Sequence, residues 1–298
     1  MICASELQPA KRKSIIQGLV LKNLTSNLQR SQGQDNMATS STSQQNYIDH
    51  FNPRAYLQRF YAEGNGVHIG DWATFAIQNL HETFTKSGVR GDTLLDVGTG
   101  ASIYHLLSAC EVFDKIIVSD LLESNHADFR KWLKKDPDAF DWNHLMKFGC
   151  ELEGNGEDYE KKAEQLRSKV KDILKCDVLK RNPFDPVLLP PVDCLLTCLC
   201  LDVACEDIKS YCEVLKNFKD LIKPGGHLLM LGVLNGISYC VGEKRFNVAT
   251  LVKEDLEMAF KKAGYQIKKA VYTPRIDKSK MHLTHYEAKY FIHARKPE

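Results

Sequence analysis

The chain has 298 residues, of which 43% are apolar, and its 40 Lys and Arg against 38 Asp and Glu give a formal net charge of +2. A chain of this length and composition forms a packed core, and a charge this close to zero excludes a dominant attraction to nucleic acid or to an anionic membrane. The longest apolar runs, at residues 194–205 and 227–234, are too short to span a bilayer.

The first 46 residues differ in composition from the rest of the chain. Residues 31–46 are almost all Ser, Thr, Gln and Asn, which cannot bury enough apolar surface to offset their chain entropy, so we predict that residues 1–46 are a disordered extension. Within them only Glu6 and Asp35 are acidic, and a basic run precedes apolar residues at helical spacing. This composition permits a mitochondrial transit peptide, but we favour an ordinary upstream extension, for which Met37 offers an alternative start site.

From Tyr47 onward the sequence alternates between helical and strand patterns. Apolar residues at helical spacing predict a helix over residues 71–86, which ends at Gly88. Further helices are predicted over residues 102–110, 123–135, 157–174, 206–222 and 250–263. Strands are predicted at residues 93–97, 115–119, 192–201, 227–234, 266–272 and 288–294. Strands that alternate with helices indicate βαβ units and a mainly parallel sheet.

Ten cysteines occur in the chain, and five of them lie between residues 194 and 212. Their spacing does not match the Cys-x2-Cys pairs of a zinc site, and most lie in an apolar run where a thiol behaves as a small hydrophobe. We therefore predict buried, reduced thiols in a cytosolic compartment, with a metal or disulfide framework as the alternative.

The most informative motif is a strand that runs into a glycine-rich turn, Leu-Leu-Asp-Val-Gly-Thr-Gly-Ala-Ser at residues 94–102. Glycines there let the backbone approach a ligand at the carboxyl edge of a sheet. A phosphate cradle is disfavoured, because position 103 is Ile where a dinucleotide fingerprint has its third glycine, and no Gly-Lys-Ser/Thr follows. The alternative is an ordinary tight turn between a strand and a helix.

Two acidic residues follow predicted secondary-structure elements and suit a nucleoside. Asp120 ends the second strand, where an acidic side chain accepts hydrogen bonds from ribose hydroxyls. Asp177 lies in a later loop, where it can meet the exocyclic amine of adenine. A ribose binder and an adenine binder without a phosphate cradle favour S-adenosylmethionine (SAM) as the ligand. A Lys-Pro-Gly-Gly turn at residues 223–226 is a frequent companion in methyltransferases.

Residues 47–296 resemble the small-amine N-methyltransferases that act on nicotinamide, indolethylamine (or a thioether) and phenylethanolamine. The resemblance rests on strings that are hard to explain by fold alone, at residues 50–57, 94–104, 131–135, 140–142, 151–155, 174–178 and 221–226.

This resemblance implies the fold class and the activity. The expected fold is α/β, a Rossmann-like class I SAM-dependent methyltransferase with a mostly parallel seven-stranded sheet and helices on both faces. Residues 47–298 would form one domain, in which residues 47–90 are an N-terminal helical cap. The implied reaction transfers the SAM methyl group to a small-molecule nitrogen of the pyridine or arylalkylamine type. We expect a monomer that needs no metal, nucleic acid or membrane.

The resemblance also implies roles for single residues. The implied cofactor contacts are Tyr56, Tyr61, Gly98, Thr99, Tyr104, Asp120, Asn125, Asp177, Val178 and Cys198. Leu199 and Tyr239, together with Tyr56, are the candidates for the acceptor pocket. The alternative roles are a core-facing stripe for Tyr56 and Tyr61, a helix cap for Asn125 and an ordinary strand aromatic for Tyr239.

The chain departs from the family pattern at the acceptor pocket. Gly232 stands where nicotinamide methylators have a carboxylate, Gly236 where they have a hydroxyl, and Val248 where they have a serine; phenylethanolamine methylators carry a glutamate at the position of Gly236. We expect the loop at residues 232–237 to be apolar and roomy, which favours a broad-specificity acceptor. We assign no catalytic residue, because the histidines are scattered without a partner motif.

Several other functions stay open on the sequence. The chain is compatible with methylation of a thioether, or with a SAM-binding relative whose catalysis is weakened. A nucleic-acid or protein methyltransferase is disfavoured, because Pro190 and Pro191 are followed by Val192 and not by an aromatic residue. An NAD-dependent oxidoreductase is disfavoured by the absent third glycine.

Overall fold

The computed structural model describes residues 43–298. The strands are β1 Gly91–Val97, β2 Phe113–Asp120, β3 Val170–Lys175, β4 Val192–Cys198, β5 Ile222–Leu234, β6 Ser238–Val241, β7 Lys244–Asn247, β8 Gln266–Pro274, β9 Thr284–His285 and β10 Ala288–Arg295. The helices are α1 Ser43–His50, α2 Pro53–Tyr61, α3 Trp72–Lys86, α4 Glu123–Leu133, α5 Asn143–Leu152, α6 Tyr159–Lys169, α7 Leu201–Ala204, α8 Ile208–Leu221 and α9 Lys253–Lys262.

A seven-stranded sheet in the order β3-β2-β1-β4-β5-β10-β8 forms the centre of the fold. Strands β1 to β5 are parallel, and β10 inserts antiparallel between β5 and β8, which confirms the predicted mostly parallel sheet. Successive strand residues point to opposite faces. Leu94 therefore packs into one core cluster and Leu95 into the other, so the sheet is buried on both sides.

Helices α1, α2 and α3 precede the sheet and form the cap. Helix α2 begins at Asn52, whose side chain accepts the Ala55 N–H at 2.9 Å, and Pro53 suits the first helical position. Helix α1 begins at Ser43, four residues before the predicted boundary between residues 46 and 47, and its Gln44 side chain contacts Asp177. The division into an extension and one domain stays a prediction. The rest of the predicted extension, residues 1–42, lies outside the described residues.

Two predicted helices differ from the structure. Residues 102–110 contain short 3-10 turns and no α-helix, and every side chain of this segment is buried, so it lacks the polar face of a surface helix. The helix predicted over 157–174 ends at Lys169, because residues 170–175 pair with β2 as an edge strand. The charged residues of this half-exposed strand resemble those on the polar face of a surface helix, which explains the predicted helix. Helix α5 and the small sheet β7-β6-β9 were not predicted.

No helix within residues 43–298 combines the length and the apolar character needed to cross a membrane.

A buried ion pair ties the cap to the sheet. The Lys289 ammonium on β10 contacts a carboxylate oxygen of Asp71, the residue that precedes α3, and it also reaches the Asp71 carbonyl at 3.3 Å. Tyr286 donates its hydroxyl to the other carboxylate oxygen at 3.4 Å. Because both charges are buried, each depends on the other for compensation.

We predict that Asp71→Asn lowers the free energy of unfolding by about 3–5 kcal/mol, because it leaves the Lys289 ammonium buried without a counter-charge. Urea denaturation followed by circular dichroism measures this loss. The matched control is Glu213→Gln, which breaks the exposed Lys216–Glu213 pair and costs less than about 1 kcal/mol. Equal losses in the two variants would contradict the structural role of the buried pair.

Candidate active site

A cavity of about 1270 Å³, its open mouth included, lies at the edge of the sheet where β1, β2, β3 and β4 end. Every residue that the sequence assigned to the cofactor or the acceptor lines this cavity, namely Tyr56, Tyr61, Gly98, Thr99, Tyr104, Asp120, Asn125, Asp177, Val178, Cys198, Leu199 and Tyr239. The fold thus brings these side chains together, as expected for parallel strands whose carboxyl ends share one edge. Their individual roles stay predictions.

The glycine-rich turn after β1 forms the floor of the cavity. Gly98 has a φ of +74°, a conformation that favours glycine, and a Cβ there would lie 2.2 Å from the Cys200 sulfur. The backbone N–H groups of Gly98 and Thr99 both donate to the Ser119 carbonyl at 2.9 Å. The turn is therefore locked between β2 and the segment after β4, and it brings backbone close to the cavity.

Asp120 organises the end of β2. One of its carboxylate oxygens accepts the Gly100 N–H at 2.9 Å, and the other accepts the Leu122 N–H at 2.9 Å and the Asn125 side-chain amide at 2.8 Å. Burial raises the pKa of Asp120, and these donors oppose that rise. The Asn125 side-chain oxygen is buried without a partner, so it is free to accept a ligand hydroxyl.

A chain of hydroxyls forms another wall of the cavity. Tyr61 donates to the Tyr104 hydroxyl at 3.2 Å, and the Trp72 indole N–H donates to the same oxygen at 2.8 Å. The Tyr104 hydroxyl lies 3.4 Å from the Cys198 sulfur, and the His68 Nδ1 lies 3.1 Å from the Tyr61 hydroxyl. Burial lowers the pKa of His68 to about 3 and raises those of both tyrosines, so this wall is polar but uncharged at neutral pH.

Helix α1 closes one side of the cavity through two side chains. The Gln44 amide donates to an Asp177 carboxylate oxygen at 3.0 Å, and the same oxygen accepts the Leu179 N–H at 3.1 Å. The Asn125 amide reaches the Tyr47 hydroxyl at 3.4 Å. Asp177 thus already receives N–H donors of the kind that an adenine amine would provide.

Asp202, which was not among the predicted site residues, is a buried carboxyl group that lines the cavity just after β4. One of its oxygens accepts the Val233 N–H at 3.0 Å, and the other accepts the Tyr290 hydroxyl at 3.1 Å. Burial raises the pKa of Asp202 to about 7, against the opposing effect of these two donors. The sequence signal was a single acidic residue inside the apolar run at 198–205.

The prediction of a roomy loop is wrong. A Cβ on Gly232 would lie 2.3 Å from an Asp202 carboxylate oxygen and 2.3 Å from the Tyr290 hydroxyl. A Cβ on Gly236 would lie 2.6 Å from a methyl group of Val248. Both glycines therefore face side chains from elsewhere in the chain, which fill the space that their missing side chains leave.

The cavity lining is rich in carboxyl groups. Among its lining residues in the described part of the chain are Asp120, Asp177 and Asp202, but no lysine or arginine. This lining offers no cation to neutralise a pyrophosphate, whereas it suits a ligand that carries positive charge. The sulfonium of SAM is such a charge, and the partnerless oxygen of Asn125 suits its ribose.

The cysteines at residues 43–298 are all unpaired, and most of them are buried. Cys176, Cys198 and Cys200 line the cavity, and burial raises the pKa of each thiol. They therefore contribute neutral, weakly polar surface and not reactive thiolates.

Comparison with known proteins gives concordant findings. The model of the NNMT/PNMT/TEMT family matches residues 39–297. Human nicotinamide N-methyltransferase is 44% identical over 233 residues, which cover 78% of this chain and 88% of that protein. Rabbit (Oryctolagus cuniculus) indolethylamine N-methyltransferase is 44% identical over 230 residues, covering 77% and 88%, and human phenylethanolamine N-methyltransferase is 36% identical over 226 residues, covering 73% and 79%.

Solved structures share the fold at low sequence identity. The magnesium protoporphyrin IX methyltransferase of Synechocystis, solved with bound SAM, superposes with a TM-score of 0.55 at 10% identity and covers 87% of this chain and 100% of its own. The N-methyltransferase NodS of Bradyrhizobium japonicum, solved with S-adenosylhomocysteine, gives a TM-score of 0.51 at 11% identity and covers 82% and 98%. At these identities the likeness concerns the fold alone.

Proposed function

The chain belongs to the NNMT/PNMT/TEMT family, and we propose that the cavity at the carboxyl edge of its sheet holds SAM and a small neutral or cationic acceptor side by side. The protein is a SAM-dependent N-methyltransferase with a Rossmann-like class I fold. The observation that carries the proposed site is the set of three aspartates, without a lysine or arginine, among the described residues that line the cavity.

We propose that the cofactor lies across the glycine-rich turn. Asp120 and Asn125 would hold its ribose, because one offers a carboxylate and the other a partnerless oxygen. Asp177 and Val178 would frame the adenine, while the turn at Gly98 approaches the methionine part. The remaining proposed contacts are Thr99 and Tyr104 at the methionine part and Tyr56, Tyr61 and Cys198 around the sulfonium.

We predict that Asp120→Asn weakens binding of S-adenosylhomocysteine by about 10- to 100-fold, because the loss of a charge-assisted hydrogen bond costs about 1.5–3 kcal/mol. Titration calorimetry of the full chain measures the affinity. The control is Asp114→Asn on the exposed end of the same strand, which should leave the affinity unchanged. Unchanged affinity in both variants would contradict the ribose role of Asp120.

The acceptor would occupy the other end of the cavity, beside Asp202. Tyr56 and Tyr239 pack edge to face there, with ring centroids 6.3 Å apart, and Val233 and Val248 add apolar surface. A flat aromatic acceptor fits between such groups. The negative lining disfavours an acceptor that carries a carboxylate of its own.

SAM supplies an electrophilic methyl group when it is bound. The residues of the chain then have three tasks: to align the acceptor nitrogen, to exclude water and to receive positive charge. Asp202 meets the last task, because its ionised carboxylate accepts an N–H of the acceptor, or the proton that an alkylamine gives up. A pyridine nitrogen gives up no proton, so for such an acceptor Asp202 acts by its charge alone.

We predict that Asp202→Asn lowers turnover of tryptamine by roughly 100-fold, the effect of losing a charge-assisted hydrogen bond to the amine. Turnover of nicotinamide should fall less, because Asp202 acts on a pyridine by its charge alone. The same variant should gain stability. The folded-state pKa of about 7 exceeds the usual 3.8, so ionised Asp202 destabilises the wild type progressively as pH rises from about 4 to 7. Between pH 4 and pH 8 the stability difference should therefore shift in favour of the variant by up to about 4 kcal/mol.

Radiolabelled methyl transfer and urea denaturation at pH 4 and pH 8 check these two expectations. The matched control is Asp255→Asn in the first turn of α9, outside the cavity, which should change neither turnover nor the pH dependence of stability. Full turnover in Asp202→Asn would overturn the acceptor role. A stability difference between variant and wild type that stays the same at pH 4 and pH 8 would contradict the raised pKa of Asp202.

We further propose that the protein works as a monomer in a reducing, cytosolic compartment, on small molecules and not on nucleic acid. The unpaired, mostly buried thiols of residues 43–298 support the reducing compartment. The net charge of +2 supports the absence of a nucleic-acid substrate. Light scattering in solution, compared with the chain mass of 33.8 kDa, decides the oligomeric state.

A further inference from the structure

We propose that Tyr290 is a positioning residue for the acceptor site, whose hydroxyl donates to Asp202 and fixes the orientation of its carboxylate toward the cavity. The assignment rests on the proposed function of Asp202. It depends on three features of the fold: the strand register beside Gly232, the second donor to the carboxylate, and a further hydroxyl behind Tyr290.

The register of β5 and β10 brings the Tyr290 hydroxyl to Asp202. Tyr290 is the direct cross-strand partner of Gly232 in this antiparallel pair. Side chains of directly paired residues lie on the same face of a sheet. Because Gly232 has no side chain, the Tyr290 ring crosses over it, and a Cβ at that position would meet both the Tyr290 hydroxyl and the Asp202 carboxylate at 2.3 Å. A glycine is therefore required for the contact.

Two backbone N–H groups fix the second carboxylate oxygen and the carbonyl oxygen of Asp202. The Val233 N–H, one residue further along β5, donates to the other carboxylate oxygen at 3.0 Å. The Ala249 N–H donates to the Asp202 carbonyl at 2.7 Å. With the Tyr290 hydroxyl at 3.1 Å, each carboxylate oxygen has one donor from the protein and keeps a lone pair for a ligand.

A second tyrosine sets the direction of the Tyr290 proton. The Tyr211 hydroxyl on α8 lies 2.6 Å from the Tyr290 hydroxyl, and both rings are buried. When Tyr211 donates to Tyr290, the proton of Tyr290 is left for Asp202. The other acceptor near Tyr211 is the Met230 sulfur at 3.5 Å, which is a weak one. The three side chains thus form a chain of hydrogen bonds in which Tyr211 donates to Tyr290 and Tyr290 donates to Asp202.

The titratable neighbours of Asp202 do not interfere with its own titration. Tyr211, Tyr290, Cys198 and Cys205 have pKa values raised by burial, that of Cys205 to about 12. All four groups are uncharged between pH 4 and pH 9. A change in the protonation of Asp202 over this range therefore reports on its hydrogen bonds.

The test is the titration of Asp202 in the full chain, followed by the carbon NMR signal of its labelled carboxyl group, which Asp202→Asn assigns by its disappearance. Tyr290→Phe keeps the ring and removes the donor, so the ionised carboxylate loses one hydrogen bond and the midpoint should rise by about one pH unit. Tyr211→Phe removes a hydroxyl that does not touch Asp202 and should shift the midpoint less. An unchanged midpoint in Tyr290→Phe would overturn the proposal.

A second variant covers the case in which Tyr290→Phe fails to fold. Gly232→Ala places a Cβ between Tyr290 and Asp202, so it should raise the same midpoint, and an unchanged midpoint would again count against the proposal. Turnover of nicotinamide and tryptamine by Asp202→Asn separates the two hypotheses. If the midpoint shifts in Tyr290→Phe or Gly232→Ala while Asp202→Asn keeps full turnover, Tyr290 positions Asp202 but Asp202 has no acceptor role. If Asp202→Asn loses turnover while the midpoint stays unshifted in the other two variants, the acceptor role of Asp202 is retained and the positioning by Tyr290 is rejected.

Discussion

Parallel strands that end at a common edge are the constraint on which the site depends. Strand β2 ends at Asp120, β3 and β4 are followed within a few residues by Asp177 and Asp202, and β1 runs into the glycine-rich turn. Residues far apart in sequence therefore meet in one cavity. The cap, which Asp71 and Lys289 tie to the sheet, covers that edge.

The buried carboxylates at this edge lower the stability of the folded chain but suit the binding of a cation. Burial raises the pKa of both Asp120 and Asp202, so each carboxylate is harder to ionise there than in water. No lysine or arginine among the described lining residues offsets them, and His68 is held neutral. Under the proposed function, a bound cation supplies the missing compensation, and the folded chain tolerates the cost in its absence. Such a conflict between stability and activity is common at ligand sites.

At the acceptor end, neighbouring side chains occupy the space beside two glycines. Read along the chain, Gly232 suggests empty space. In the structure the Tyr290 ring occupies that space and delivers a hydroxyl to Asp202. Val248 does the same beside Gly236 with an apolar group. Side chains from elsewhere in the chain therefore fill the space at both glycines, and the polar anchor of the pocket comes from Asp202 in α7 and Tyr290 on β10.

The sequence by itself determined the alternation of strands and helices, the mainly parallel sheet, the glycine-rich turn, and the positions of Asp120 and Asp177 after their elements, because local patterns of apolar residues and glycine set these features. The sequence predicted a helix where β3 lies, because a half-exposed edge strand carries charged residues like those on the surface of a helix. Only the tertiary structure decided the role of Asp202. Its partner Tyr290 lies 88 residues away, and the two meet because β10 inserts antiparallel beside β5 in a register that no local pattern encodes.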